Sequence, residues 1–161
     1  MIRARVITCS DGVFAGTRED KSGLALRDLL RDKGYEVDAV VVVPDDVEFI
    51  ARAIREAVDL GITLVATTGG TGISARDVTP EATNGLADRI IPGFGELMRA
   101  KSLETTRMAP LSRAQAATRG SALILNLPGS VNGACENLKA VLHLIPHALD
   151  LLSGRTAAHP K

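Results

Sequence analysis

Four consecutive valines, Val40-Val41-Val42-Val43, constrain this chain more than any other feature. β-Branched side chains are stiff and favour strands, and a run without polar alternation has no face to give to water. Such a strand is expected in a sheet covered on both sides, as parallel sheets are. The rest of the chain agrees. Shorter apolar strands are expected at about Arg3–Thr8, Ile62–Thr67 and Ala122–Asn126, and helical patterns separate them. Leu26, Leu29 and Leu30 recur at helical spacing between a Ser22 cap and a Gly34 stop. Val47, Ile50, Ala51, Ile54 and Val58 form an amphipathic stripe that Gly61 closes. Thr79 is read as an N-cap with Pro80 at the first helical position. A helix over 95–103 and a last one over 133–152, interrupted at Pro146, complete the pattern, with a loop and a short helix from Ser112 between them. The expected fold is α/β: three layers, with a mostly parallel sheet and helices on both faces.

At 161 residues, one domain over 1–161 is expected. Hydrophobic residues at 45% and charged residues at 24% exclude disorder. No apolar run approaches the ~20 residues of a membrane span, and the N-terminus lacks the apolar core of a signal peptide. Nineteen basic residues balance nineteen acidic ones, which argues against a general polyanion binder. The aromatics Phe14, Tyr35, Phe49 and Phe94 are too few for a base-stacking surface. Neither nucleic acid nor membrane is therefore an expected partner. Cys9 and Cys135 lie far apart without metal spacing, as in a reduced, cytoplasmic chain.

The chemistry is expected in the polar loops that follow the strands, because ligands of open parallel sheets bind at the carboxyl ends of the strands. Gly69, Gly70, Thr71 and Gly72 can present backbone N–H groups to an anion, or simply make a tight turn. The stretch Gly70–Ala75 fits the loose dinucleotide pattern, but it follows the third strand rather than the first. The phosphate-loop Gly-Lys-Ser/Thr is absent. Asp77 follows the glycines. A carboxylate beside a phosphate site calls for a cation, and Mg²⁺ is the usual one; the alternative is a surface pair with Arg76. Asp45 and Asp46 precede a helix, so one can cap it while the other faces the site. Lys21, Ser22 and Gly23 suit an anion at a helix N-terminus, or ordinary capping, and Gly129 and Ser130 repeat the idea before the last helix.

His143 and His147 are spaced to share a metal, but no third ligand is evident and surface positions are expected. With His159 they lie near the C-terminus, so no histidine occupies the polar loops. That speaks against triad-type acyl transfer and suits a nucleophile that is already ionised. Cys9 is expected to pack rather than react.

The segments SDGVFAGTREDKSG, VPDD, TTGGTGISARDVTPEAT, IPGFGELMR and LSRAQAATRGSALILNLPGS occur in an order that resembles the molybdopterin adenylyltransferases of the MogA/MoaB family, which includes the G domain of gephyrin. The match covers most of the chain. Ser130 and Val131 depart from it, standing where relatives carry Asn or Gln followed by Pro. The resemblance implies a homotrimer that activates molybdopterin with ATP and Mg²⁺ in molybdenum cofactor biosynthesis, releasing pyrophosphate before a second protein inserts molybdate. It implies that Asp77 and Asp45 are the catalytic, metal-linked carboxylates. It implies nucleotide contacts at Gly69, Gly70, Thr71 and Gly72, and pterin or phosphate contacts at Ser10, Asp11, Lys21, Ser22, Gly129 and Ser130. A molybdopterin-binding protein without adenylation, or a trimeric interaction scaffold, are the other readings.

Overall fold

The structure, a computed structural model, describes residues 1–155; His159 lies outside them. Among the described residues, six strands numbered in chain order, β1 (Arg3–Cys9), β2 (Glu36–Val43), β3 (Leu64–Thr68), β4 (Arg89–Ile91), β5 (Gln115–Arg119) and β6 (Ala122–Leu127), form one sheet in the order β2-β1-β3-β6-β5-β4. β1, β2, β3 and β6 run parallel. β4 and β5 extend that sheet antiparallel.

Alternation along the central strands builds two cores. Val6, Leu64, Ala66, Leu123 and Leu125 face one layer, packing with Leu26 and Leu30 of α2 (Lys21–Asp32), Met98 of α5 (Pro92–Leu103), and Leu138 of α6 (Val131–Val141). Ile7, Val65 and Ile124 face the other, packing with Ile50 and Ile54 of α3 (Val47–Asp59) and Ala82 of α4 (Thr79–Asn84). The expected three-layer architecture is what the structure has. A four-residue helix, α1 (Asp11–Phe14), lies in the loop after β1, and α7 (Ile145–Leu152) closes the described chain.

Several expectations change. The valine run lies on β2 at the sheet edge. Val40, Val41 and Val42 are only half-buried, Val40 against one core and Val41 against the other. Ser112 opens no helix. The alanine-rich segment that follows is β5, which turns back at Gly120 (φ +55°) to pair with β6. Its alanines carry helix propensity, but fully buried Ala116 and Ala117 gain more from the sheet. Asp20, not Ser22, caps α2, and Val78, not Thr79, holds the cap position of α4. The last helix starts at Val131 and breaks into a 3₁₀ turn at Leu142–Leu144 before resuming at Ile145. The break reaches back a turn from Pro146, whose ring lacks an N–H for the carbonyl four residues earlier.

Candidate active site

The loops after β1, β2, β3 and β6 meet at the carboxyl edge of the sheet around a cavity of about 720 Å³. Of the residues singled out above, Ser10, Lys21, Ser22, Asp45, Gly69, Gly70, Asp77, Gly129 and Ser130 line it. Asp11, Thr71 and Gly72 are not part of the lining. The sequence reading missed Thr8, Arg18, Asp20 and Thr68, which do line it.

The glycine loop sets the shape. Gly69 and Gly70 both take positive φ (+98° and +67°), and a Cβ on either would lie 2.3 Å from its nearest neighbour, Cys9 O and Thr79 Oγ1 respectively. The Gly69 amide is not available to an anion, because it donates to Leu127 O (3.1 Å). Thr79 donates its hydroxyl to Gly69 O (2.9 Å) and its amide to Gly70 O (3.1 Å), fixing the loop against the start of α4. On the other side Gly129 comes so near that a Cβ on it would lie 3.2 Å from Gly69 Cα. Thr68 joins the same floor by donating its hydroxyl to Pro128 O (2.7 Å), with Ser22 Oγ within hydrogen-bond distance of the same oxygen (3.1 Å).

Both expected carboxylates aim at this loop. Asp45 Oδ1 lies 3.4 Å from a Cβ built on Gly70, and Asp77 Oδ2 lies 2.7 Å from one on Gly72. Asp77 is held by Ser74, whose amide (2.9 Å) and hydroxyl (2.8 Å) both donate to Oδ2. The surface pair considered for Arg76 and Asp77 does not form. Arg76 reaches Asp11 instead, with Nε 2.9 Å from Asp11 Oδ2. The two aspartates after β2 divide their work as expected: Asp46 Oδ1 accepts from the Glu48 and Phe49 amides at the start of α3, and Asp45 faces the cavity.

Asp11 is a fastener. Its amide donates to Asp45 Oδ2 and its Oδ1 accepts from the Asp45 amide, both at 3.0 Å. The Arg76 guanidinium, then the Asp45 amide, hold the Asp11 carboxyl below the usual carboxylate range. Burial pushes the Asp45 carboxyl up, and the charges of Asp11 and Asp77 add to that while the Asp11 amide opposes it.

Asp20 occupies the N-terminus of α2, where its Oδ1 accepts from the Gly23 amide (3.0 Å) and Thr8 Oγ1 donates to both oxygens (3.1 and 3.0 Å). Gly23 is required there, since a Cβ would meet Thr8 Oγ1 at 2.2 Å. Ser130 caps α6 by accepting from the Gly133 amide (3.1 Å). Cys9 is buried, and that burial pushes its thiol up to about 12, so it packs rather than attacks.

The charged lining sets Arg18 and Lys21 against Glu19, Asp20, Asp45 and Asp77. A polyphosphate entering that excess of carboxylates needs a cation. Asp45 and Asp77 offer hard oxygen donors, and among the described residues no group of three or more His, Cys, Asp or Glu could hold a metal. Two carboxylates completed by phosphate oxygens and water suit Mg²⁺, which rarely takes an all-protein cage. His143 and His147 lie in the C-terminal helical segments, away from the cavity lining. Among the described residues, no helix is long and apolar enough to cross a membrane.

Comparisons with known proteins identify the family. A family described as a probable molybdopterin binding domain matches residues 5–147. A molybdopterin adenylyltransferase of Helicobacter pylori (strain J99) is 39% identical over 158 residues, covering 95% of this chain and 89% of its own. Gephyrin of Dictyostelium discoideum is 38% identical over 93% of this chain, which spans 22% of that longer protein. The crystal structure of the molybdopterin biosynthesis enzyme MoaB from Thermus thermophilus superposes with a TM-score of 0.89 at 49% identity, covering 96% of this chain and 98% of its own.

Proposed function

Because the chain belongs to the molybdopterin-binding family matched over residues 5–147, we propose that its cavity carries out the adenylylation of molybdopterin by ATP. One observation carries the reading: Asp45 and Asp77 arrive from different loops to line one cavity beside Gly69 and Gly70. The adenylyltransferase name borne by a relative that is 39% identical over nearly the whole chain supports it.

In this reaction an oxygen of the pterin's terminal phosphate attacks the α-phosphorus of ATP. A new P–O–P linkage forms, the bond from the α-phosphorus to the bridging oxygen breaks, and pyrophosphate leaves with that bonding pair. The nucleophile is already anionic, so no histidine base is required. Catalysis is chiefly positioning and charge control. Gly70, which lines the cavity, lets phosphate approach the backbone, and Gly69 gives the loop its turn. Lys21, with Arg18 beside it, attracts the phosphates, and Ser10, Ser22, Gly129 and Ser130 orient the pterin side. Asp11 serves by fastening Asp45. Mg²⁺ held by Asp45 and Asp77 supplies charge neutralisation on the polyphosphate.

The proposal extends to a homotrimer, cytoplasmic, that passes its product to a molybdate-insertion protein. The family resemblance supports these features, and sedimentation equilibrium giving a monomer at micromolar concentration would remove the trimer. The function itself is tested by pyrophosphate release from molybdopterin, ATP and Mg²⁺. Release that requires all three supports the reading. Pterin binding without release makes this a binding module instead.

A further inference from the structure

Asp77 stands on a turn, and the structure reveals what ties that turn to the sheet. Arg113 lies between the 3₁₀ turn Ala109–Leu111 and β5, and it reaches four points of segment 71–81. Its amide donates to Thr71 O (2.8 Å). Its Nε donates to Gly72 O (2.8 Å) and its Nη2 to Asp77 O (2.8 Å). Its Nη1 pairs with the carboxylate of Glu81 on α4. The side chain does not line the cavity.

We propose that Arg113 is a positioning residue for the adenylyl transfer: it fixes the backbone that aims the Asp77 carboxylate into the cavity. This rests on the adenylyltransferase reading of that cavity. The bonds that Asp77 accepts from Ser74 stay inside the turn and move with it. Outside anchors set where the turn sits relative to Gly69 and Gly70: Thr79 ties its end to both glycine carbonyls and Arg76 reaches Asp11, but neither holds the carbonyls of Gly72 and Asp77. Arg113 holds them through a planar fork whose edges satisfy two carbonyls and a carboxylate together. Without that fork, the Gly72 and Asp77 carbonyls have no shared donor and each turns toward water, carrying the Asp77 Cα with it. A lysine ammonium on a flexible stem cannot serve the same three acceptors in one plane.

Four variants test this: Arg113→Lys, Arg113→Ala, Asp77→Asn, and Arg113→Lys combined with Asp77→Asn. Arg113→Lys should lower kcat for pyrophosphate release about 10- to 100-fold, the effect of a displacement near 1 Å, with KM for molybdopterin unchanged. On the Asp77→Asn background the same change should cost less than about twofold more, because both act through one carboxylate. Guanidinium ion should partly restore Arg113→Ala, whereas ammonium at equal ionic strength should not. Amide hydrogen exchange over 71–81 should quicken in Arg113→Lys while β5 and β6 stay protected. Wild-type kcat in Arg113→Lys, losses that multiply in the double variant, or unchanged exchange over 71–81 would each overturn the proposal. If the wild-type protein releases no pyrophosphate, the adenylyltransferase reading fails, and the exchange measurement alone decides whether Arg113 anchors the turn.

Discussion

Replacing Asp77 by Asn removes one negative charge from the cavity wall and leaves nearly every atom in place. The structure sets what is retained. Among the described residues only Oδ2 is engaged, by the Ser74 amide and hydroxyl, so an Asn carbonyl in that position keeps both bonds. Those bonds weaken, because a charged acceptor binds roughly twice as strongly as a neutral one, and the loss to folding is about 1 kcal/mol. The effect on chemistry is larger. An amide is a poor ligand for Mg²⁺, so turnover should fall about a hundredfold or more, equivalent to at least ~2.7 kcal/mol in the barrier. The sign reverses for ATP alone: with the divalent cation chelated, one carboxylate fewer opposes the phosphates, so nucleotide affinity should hold or rise. Molybdopterin binding should survive. The assay is pyrophosphate release at saturating Mg²⁺, with ATP affinity measured in chelator on the same variant. Turnover within about twofold of wild type, or a loss of ATP affinity in chelator, would refute the assignment of Asp77 as a metal-linked residue.

Other expectations follow from the same geometry. Gly70→Ala forces a side chain into positive φ and against Thr79 Oγ1, so it should destabilise the protein by about 1–3 kcal/mol and suppress nucleotide binding, as read by denaturant titration and calorimetry. Asn126 is fully buried and donates to Thr67 Oγ1 (3.1 Å) and Thr83 Oγ1 (3.0 Å), and Asn126→Leu should lower the unfolding free energy by about 1–3 kcal/mol because those hydroxyls lose their partner. The Arg113 guanidinium holds the Glu81 carboxyl below its usual range, so the pair's stabilisation is complete above the ordinary glutamate value of about 4.3 and disappears as pH falls through the lower folded value. Thermal melts across that acid window should show a smaller pH dependence in Glu81→Gln than in wild type; equal slopes would show that the pair contributes nothing.

What could be read from the sequence was local. The glycine loop, the Asp45-Asp46 pair and the carboxyl-edge placement of the site all depend on residues close together in the chain. Asp45 and Asp46 divided as expected because capping is decided within one helical turn. The α2 cap was legible in principle: Asp20 is as good a cap as Ser22, and its Oδ1 meets the amide of Gly23, three residues on. β5 was not, since Gln115–Arg119 has helix-prone alanines and becomes a strand only by pairing with β6. The valine run announced a strand packed on both faces, which Val40 and Val41 are, but carried no sign of its place at the sheet edge, because order across a sheet is not encoded in any one strand. Arg113 gave no local signal at all. Its side-chain partners Gly72, Asp77 and Glu81 lie 32 to 41 residues away, and only the folded chain brings them to one guanidinium. The same holds for Arg76, which passes over its neighbour Asp77 for Asp11, 65 residues earlier.

If the cavity joins the α-phosphate of ATP to a pterin phosphate, the position of a transferred label reveals it. Wild-type protein should be incubated with molybdopterin, Mg²⁺ and ATP radiolabelled at either the α- or the γ-phosphorus, and the pterin then isolated. Label from the α-position should appear in the pterin in equal amount with released pyrophosphate, and γ-label should leave entirely in the pyrophosphate. Label in the pterin from γ-labelled ATP, or none from either, would mean that the cavity does not transfer an adenylyl group to the pterin.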